Sequence, residues 1–155
     1  MKNKLTFITL VVFALLLISF KTKFYGYQIE CVTLNSDNYI ELKIWNENYK
    51  LKYKESQAQK EAIHSILYAG ITSGANNCGT QPPILKNEND KQNFKKIEKK
   101  FFSKNGVWAR FVKSSTLYNE ASISLNKIYQ IQVSKLELTK YLIEQKIIKS
   151  LNNGF

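Results

Sequence analysis

The chain has 155 residues, a formal net charge of +11 and 44% hydrophobic residues, enough to build a packed core. With one histidine and two cysteines it lacks the Cys/His set of a structural zinc site. Arg110 is the only arginine among 23 basic residues. The charge is therefore lysine in an Asn- and Ile-rich background, whereas recognition of bases and phosphates favours arginine forks; no nucleic-acid partner and no cofactor are expected.

The first 26 residues carry the strongest signal. Lys2 and Lys4 precede a run, Leu5–Phe20, without charge, Gly or Pro, and Lys21 and Lys23 close it. A basic n-region followed by an apolar h-region marks a segment handled by the export machinery. A helix over these residues rises about 24 Å, short of a hydrocarbon core of about 30 Å. Length thus favours a cleaved signal peptide. Cleavage chemistry leaves a retained N-terminal anchor open, because a cut after Gly26 puts Phe24 at the −3 position, where small residues are preferred. No cysteine follows the run closely enough for lipidation. The expected organisation is 1–26 as signal peptide or anchor and 27–155 as one α+β domain, periplasmic or envelope-associated. Removing residues 1–26 takes four lysines and no acid, lowering +11 to +7.

Tyr27–Leu34 and Tyr39–Asn46 alternate apolar and polar residues, and Asn35-Ser36-Asp37-Asn38 between them is turn chemistry, so the segment reads as an antiparallel hairpin. Glu30 and Glu41 fall on its two strands, where a solvated face explains them as well as a paired-carboxylate site does. Cys31 and Cys78 are an even pair in an exported chain, either a disulfide or two independent thiols. Ser56 and Gln59 have capping-box spacing, Ala58, Ala62, Ile63, Ile66 and Leu67 recur at helical period, and Gly70 suits the C-terminal cap, predicting a helix over 56–69. Residues 72–83, with Gly74, Gly79 and the Pro82-Pro83 pair, read as a long irregular loop without the spacing of a phosphate-binding loop.

Helical pattern returns over 89–103, with Phe94, Ile97 and Phe101 on one stripe. A strand is expected at 107–113, a polar connection through Ser114-Ser115-Thr116 and Tyr118-Asn119-Glu120, a strand at 127–134, and a helix at 135–145 opened by a Ser134/Glu137 capping box. The order β-β-α-α-β-β-α predicts an α+β fold: an antiparallel sheet of about four strands with helices on one face.

Little in this pattern points to catalysis. His64 is the only histidine and falls at the edge of an apolar stripe, which reads as a boundary or surface residue. Lys91, Lys95, Lys96, Lys99, Lys100 and Lys104 on the second helix form a candidate interaction surface for an acidic envelope partner or an anionic membrane, against the plainer reading of a solvated lysine-rich face. Arg110, placed between Trp108 and Val112 on the expected strand, suggests a stacked or bidentate contact. Trp45, Trp108, Phe111 and Tyr129 read as core or strand-face residues.

The block Lys60-Glu61-Ala62-Ile63-His64-Ser65-Ile66-Leu67-Tyr68-Ala69-Gly70-Ile71, the segment Cys78-Gly79-Thr80-Gln81-Pro82-Pro83 and the ending Ile147–Phe155 resemble a family of small exported bacterial proteins of unknown function. The strand followed by an Ala-rich helix also faintly resembles a class of bacterial envelope lipoproteins, from which this chain departs in lacking a lipidation cysteine. The resemblance implies export and supplies no catalytic residues. The functional expectation is a non-enzymatic cell-envelope interaction or accessory module; the alternative is a small-ligand or glycan-binding domain that uses loop 72–83.

Overall fold

A computed structural model describes residues 26–34, 39–74, 78, 80–118 and 126–149. The expected export segment up to residue 25, the expected turn at 35–38, residues 75–77 and 79 of the long loop, residues 119–125 and the tail from Ser150 lie outside the described residues.

Four antiparallel strands form one sheet: β1 (Tyr27–Leu34), β2 (Tyr39–Asn46), β3 (Val112–Tyr118) and β4 (Ile128–Ser134), in the spatial order β1-β2-β4-β3. Three α-helices accompany it: α1 (Glu55–His64), α2 (Glu88–Phe101) and α3 (Lys135–Glu144). The expected class and element order both hold. Alternation sets the register. Ile40, Leu42 and Ile44 of β2 are fully buried, and they oppose Val133, Ile131 and Tyr129 of β4. Their neighbours Glu41, Lys43 and Trp45 face the other side, as a period of two requires.

Strict alternation fails in β1. The register jumps between Cys31 and Thr33, so a bulge flips the strand's parity and pairs Thr33 with Glu41 and Leu34 with Ile40. The same register puts Glu30 opposite Lys43, not Glu41, and Glu41 accepts a hydrogen bond from Gln130. The two carboxylates do not form a pair.

The core lies between the sheet and the helices. Ala58, Ala62, Ile63 and Leu67 are fully buried, together with Phe94, Phe101, Leu138 and Leu142. Each fully buried Leu or Ile contributes about 1.5–3 kcal/mol. Phe101 sits among aromatic rings, 5.1 Å from Phe94, 6.1 Å from Phe111 and 5.9 Å from Tyr141.

The expected Ser56/Gln59 capping box does not form. Lys54, in extended geometry, precedes the helix, the amides of Gln57 and Ala58 donate to its carbonyl, and no side chain caps the end. At the other end α1 widens into a π-turn over residues 65–69, where the Gly70 amide donates to Ser65 O at 2.8 Å. Gly70 caps it at φ 71°, and a Cβ there would lie 2.5 Å from the Gln81 carbonyl oxygen. The carbonyls of Ile66 and Leu67, orphaned by the helix end, accept from the amides of Ile84 and Leu85 at 3.0 Å each. The long loop thus returns to seal the helix that precedes it.

Cys31 and Cys78 form a disulfide across a separation of 47 residues. Beside it the Cys31 amide donates to Ser73 O, and the Ser73 hydroxyl donates to Ile29 O, both at 2.9 Å.

The third strand differs from expectation. Val107–Phe111 is a 3-10 helix and the strand begins at Val112. Trp108 and Phe111, three residues apart, both point into the core, as 3-10 spacing permits and strand spacing does not. The Trp108 indole donates to Ser103 O at 2.9 Å and holds the turn. The segment expected as a polar connection, Ser114-Ser115-Thr116, is the middle of β3. It is an edge strand, so it needs no apolar run to be stable. Of the expected Ser134/Glu137 capping box the serine half forms, the Glu137 amide donating to the Ser134 hydroxyl at 3.3 Å, while the Glu137 carboxylate pairs with Lys113.

Candidate functional site

Two helical stripes of identical spacing face each other. On α1, Gln57, Lys60, Glu61 and His64 stand at i, i+3, i+4 and i+7; on α2 and just beyond it, Lys95, Glu98, Lys99 and Phe102 do the same. Gly26, Asn46, Asn48 and Tyr49 close one end. The cleft between them has a volume of about 810 Å³, within the range of small-ligand sites.

Its walls are fixed by internal polar contacts. Glu61 is buried and is held by the Tyr53 hydroxyl, and Gln57 Nε2 donates to its other oxygen at 3.1 Å. Burial, then the hydrogen bond to Glu61, push the Tyr53 hydroxyl far above the ordinary tyrosine range. Glu98 accepts from the Tyr68 hydroxyl at 3.2 Å. His64 Nδ1 and the Tyr27 hydroxyl share a hydrogen bond of 3.0 Å, and the imidazole lies 4.8 Å from the Tyr68 ring. Lys60 places its ammonium 5.3 Å from the centre of the Trp108 ring. Lys95 and Lys99 are exposed, and neither is in an ion pair among the described residues.

Both carboxylates of the cleft are therefore engaged by tyrosines of the same chain, while three ammonium groups and one imidazole line it. Such a lining suits an anionic group carried on a body that can lie against Phe102 and Tyr49.

No protein-family model matches the chain. Neither a curated protein nor a solved structure matches it either.

Of the lysines singled out from sequence, Lys95 and Lys99 line the cleft. Lys96 turns away and donates to Asn93 Oδ1 at 3.0 Å, and Lys91, Lys100 and Lys104 lie outside the lining. Arg110 is exposed on the 3-10 helix rather than on a strand face, so the basis for the expected stacked contact is absent. Its guanidinium partly offsets the upward shift that burial imposes on the Tyr141 hydroxyl. His64 is half-buried, consistent with the boundary position expected of it, and forms part of the cleft wall. Sequence reasoning missed Lys60, Glu61 and His64 as a group, although their i, i+1, i+4 spacing was visible.

Loop 72–83 is tethered by the disulfide, by reciprocal Ile71–Gln81 backbone bonds of 2.8 and 2.9 Å, and by Lys135 Nζ donating to Gln81 Oε1 at 2.9 Å. The hollow beside Gln81 and Pro82 has no room for a water molecule. Among the described residues no three His, Cys, Asp or Glu side chains cluster as metal ligands, and no helix is long and apolar enough to cross a membrane.

Proposed function

We propose that the protein is an exported, non-enzymatic module of the cell envelope that works by binding, and that the cleft between α1 and α2 is its binding site. The observation that supports this most is the imbalance within the cleft: its acids are satisfied internally and its rim lysines are not. The ligand class is a small molecule or peptide end bearing a carboxylate or phosphate. The Cys31–Cys78 disulfide is compatible with an oxidising, exported location. A ligand role for loop 72–83 draws less support, because Ser73, Cys78 and Gln81 are engaged with Ile29, Cys31, Ile71 and Lys135.

Calorimetric titration with an acidic dipeptide, a sugar phosphate and a uronate oligosaccharide, each beside a neutral counterpart, tests the reading. Saturable binding of at least one anionic probe is expected, weakened by Lys95→Gln with Lys99→Gln. Equal binding of neutral counterparts, or none by any probe, contradicts it.

A further inference from the structure

The turn after β2 exposes apolar surface that local packing does not explain. Leu51 is 63% exposed and Tyr49 45%, both among the most exposed large apolar side chains of the described residues. The turn is not loosely held. Tyr53 is fully buried, its carbonyl accepts from the Tyr129 hydroxyl at 3.2 Å, and Tyr49 stacks on its ring at 6.2 Å. Lys50 adopts φ 44°, a left-handed conformation that costs energy in any residue with a Cβ. A rigid turn thus presents Tyr49 and Leu51 outward. Lys50, Lys52 and Lys54 alternate with them, all exposed, with Glu47 and Glu55 at the two ends. Leu117, cross-strand from Tyr129, adds a third apolar side chain at this end of the sheet.

The chain's route points the same way. β1 begins here: Tyr27 pairs with Asn46, and Gly26 packs against Asn48. Only five residues, Lys21 to Tyr25, separate Phe20, the end of the apolar run, from Gly26, a distance of at most about 22 Å in any conformation. A segment 5–20 held in a bilayer therefore keeps this turn close to the headgroups.

We propose that turn 47–54 docks on an anionic membrane surface, with Tyr49 and Leu51 entering the interface and Lys50, Lys52 and Lys54 meeting lipid phosphates. The proposal goes beyond the cleft reading and shares Asn48 and Tyr49 with it. Its tether argument rests on retention of residues 1–26 as an anchor; its apolar and charge argument does not.

The test uses full-length protein carrying Leu51→Cys, native disulfide intact, labelled with nitrobenzoxadiazole. Vesicles of phosphatidylcholine with and without phosphatidylglycerol are compared. The expected result is blue-shifted emission, quenched by nitroxide lipids, only where phosphatidylglycerol is present. Replacing Lys50, Lys52 and Lys54 by Gln weakens the response about fivefold per lysine at low salt. The same label at Leu34→Cys, at the opposite end of the sheet, stays in water. No response at position 51, an equal response at position 34, or a response in neutral vesicles that survives the lysine changes would overturn the proposal. Vesicle insertion of the chain without a response at 51 refutes docking while leaving the export reading, and the cleft titration, untouched.

Discussion

Breaking the Cys31–Cys78 bridge by Cys31→Ala with Cys78→Ala frees a 47-residue loop in the unfolded chain. The chain-entropy relation gives about 4 kcal/mol for a loop of this length. For a domain of this size that lowers the melting temperature on the order of 10–15 °C. The native contacts around the bridge are independent of it: the Cys31 amide still reaches Ser73 O, and Ser73 still reaches Ile29 O. The fold is therefore retained and the loss appears in the free energy. Both cysteines are buried, so the alanine variant also loses two sulfur atoms from the core. Reduction of the wild type separates that packing loss from the entropic one. Urea unfolding followed by circular dichroism, on the oxidised, reduced and double-alanine proteins, is the assay. Reduced and oxidised forms that agree within about 1 kcal/mol refute the reasoning, since the closed loop would then contribute nothing.

Tyr53→Phe alters the alkaline limb of stability. The unfolded chain ionises this tyrosine above its ordinary value of 10.0, whereas the folded protein keeps it protonated, so the folded state binds more protons and stability falls as pH rises. The contribution is about 1.4 kcal/mol per pH unit above that value, and the variant's urea midpoint loses it; an unchanged slope contradicts the assignment. Gly70→Ala forces a Cβ against the Gln81 carbonyl at a positive φ and is expected to cost at least about 2 kcal/mol in chemical denaturation. Ser134→Ala removes the acceptor for the Glu137 amide and is expected to cost about 1 kcal/mol in the same measurement.

Much of the fold was legible because two periods dominate the chain. The alternation of β2 and β4 and the apolar stripes of α1 and α3 each specify one buried face, and burial enforces them. What escaped followed different rules. β3 is polar at its centre, and an edge strand is held by its hydrogen-bond ladder to β4 rather than by an apolar face. The turn over 107–111 looks like a strand only if Trp108 and Phe111 are placed on opposite faces, whereas the tight turn at Gly106 rotates both inward. A Cβ at Gly106 would lie 2.0 Å from the Phe101 carbonyl oxygen, and sequence periodicity does not carry that close approach.

The candidate site was half legible for the same reason. Lys95 and Lys99 stood out as part of a charge run. The polar stripe of α1 that faces them gains meaning only from the placement of α2 against α1. That placement depends on the loop returning through Ile84 and Leu85 to the end of α1. His64 looked isolated in sequence because its hydrogen-bond partner Tyr27 comes from β1; Tyr68, four residues on in the same helical run, was the one local neighbour in view.

His64 is also the means of the most direct test. As the only histidine, its imidazole gives one unambiguous pair of ring-proton nuclear magnetic resonance signals from within the cleft. Titrating the protein with the anionic probe that binds best in calorimetry is predicted to shift those signals saturably, with the calorimetric dissociation constant, and to require more probe for the same shift in the Lys95→Gln/Lys99→Gln variant. Saturable binding that leaves the His64 signals in place, with shifts confined to residues outside the cleft, would contradict the assignment of the binding site.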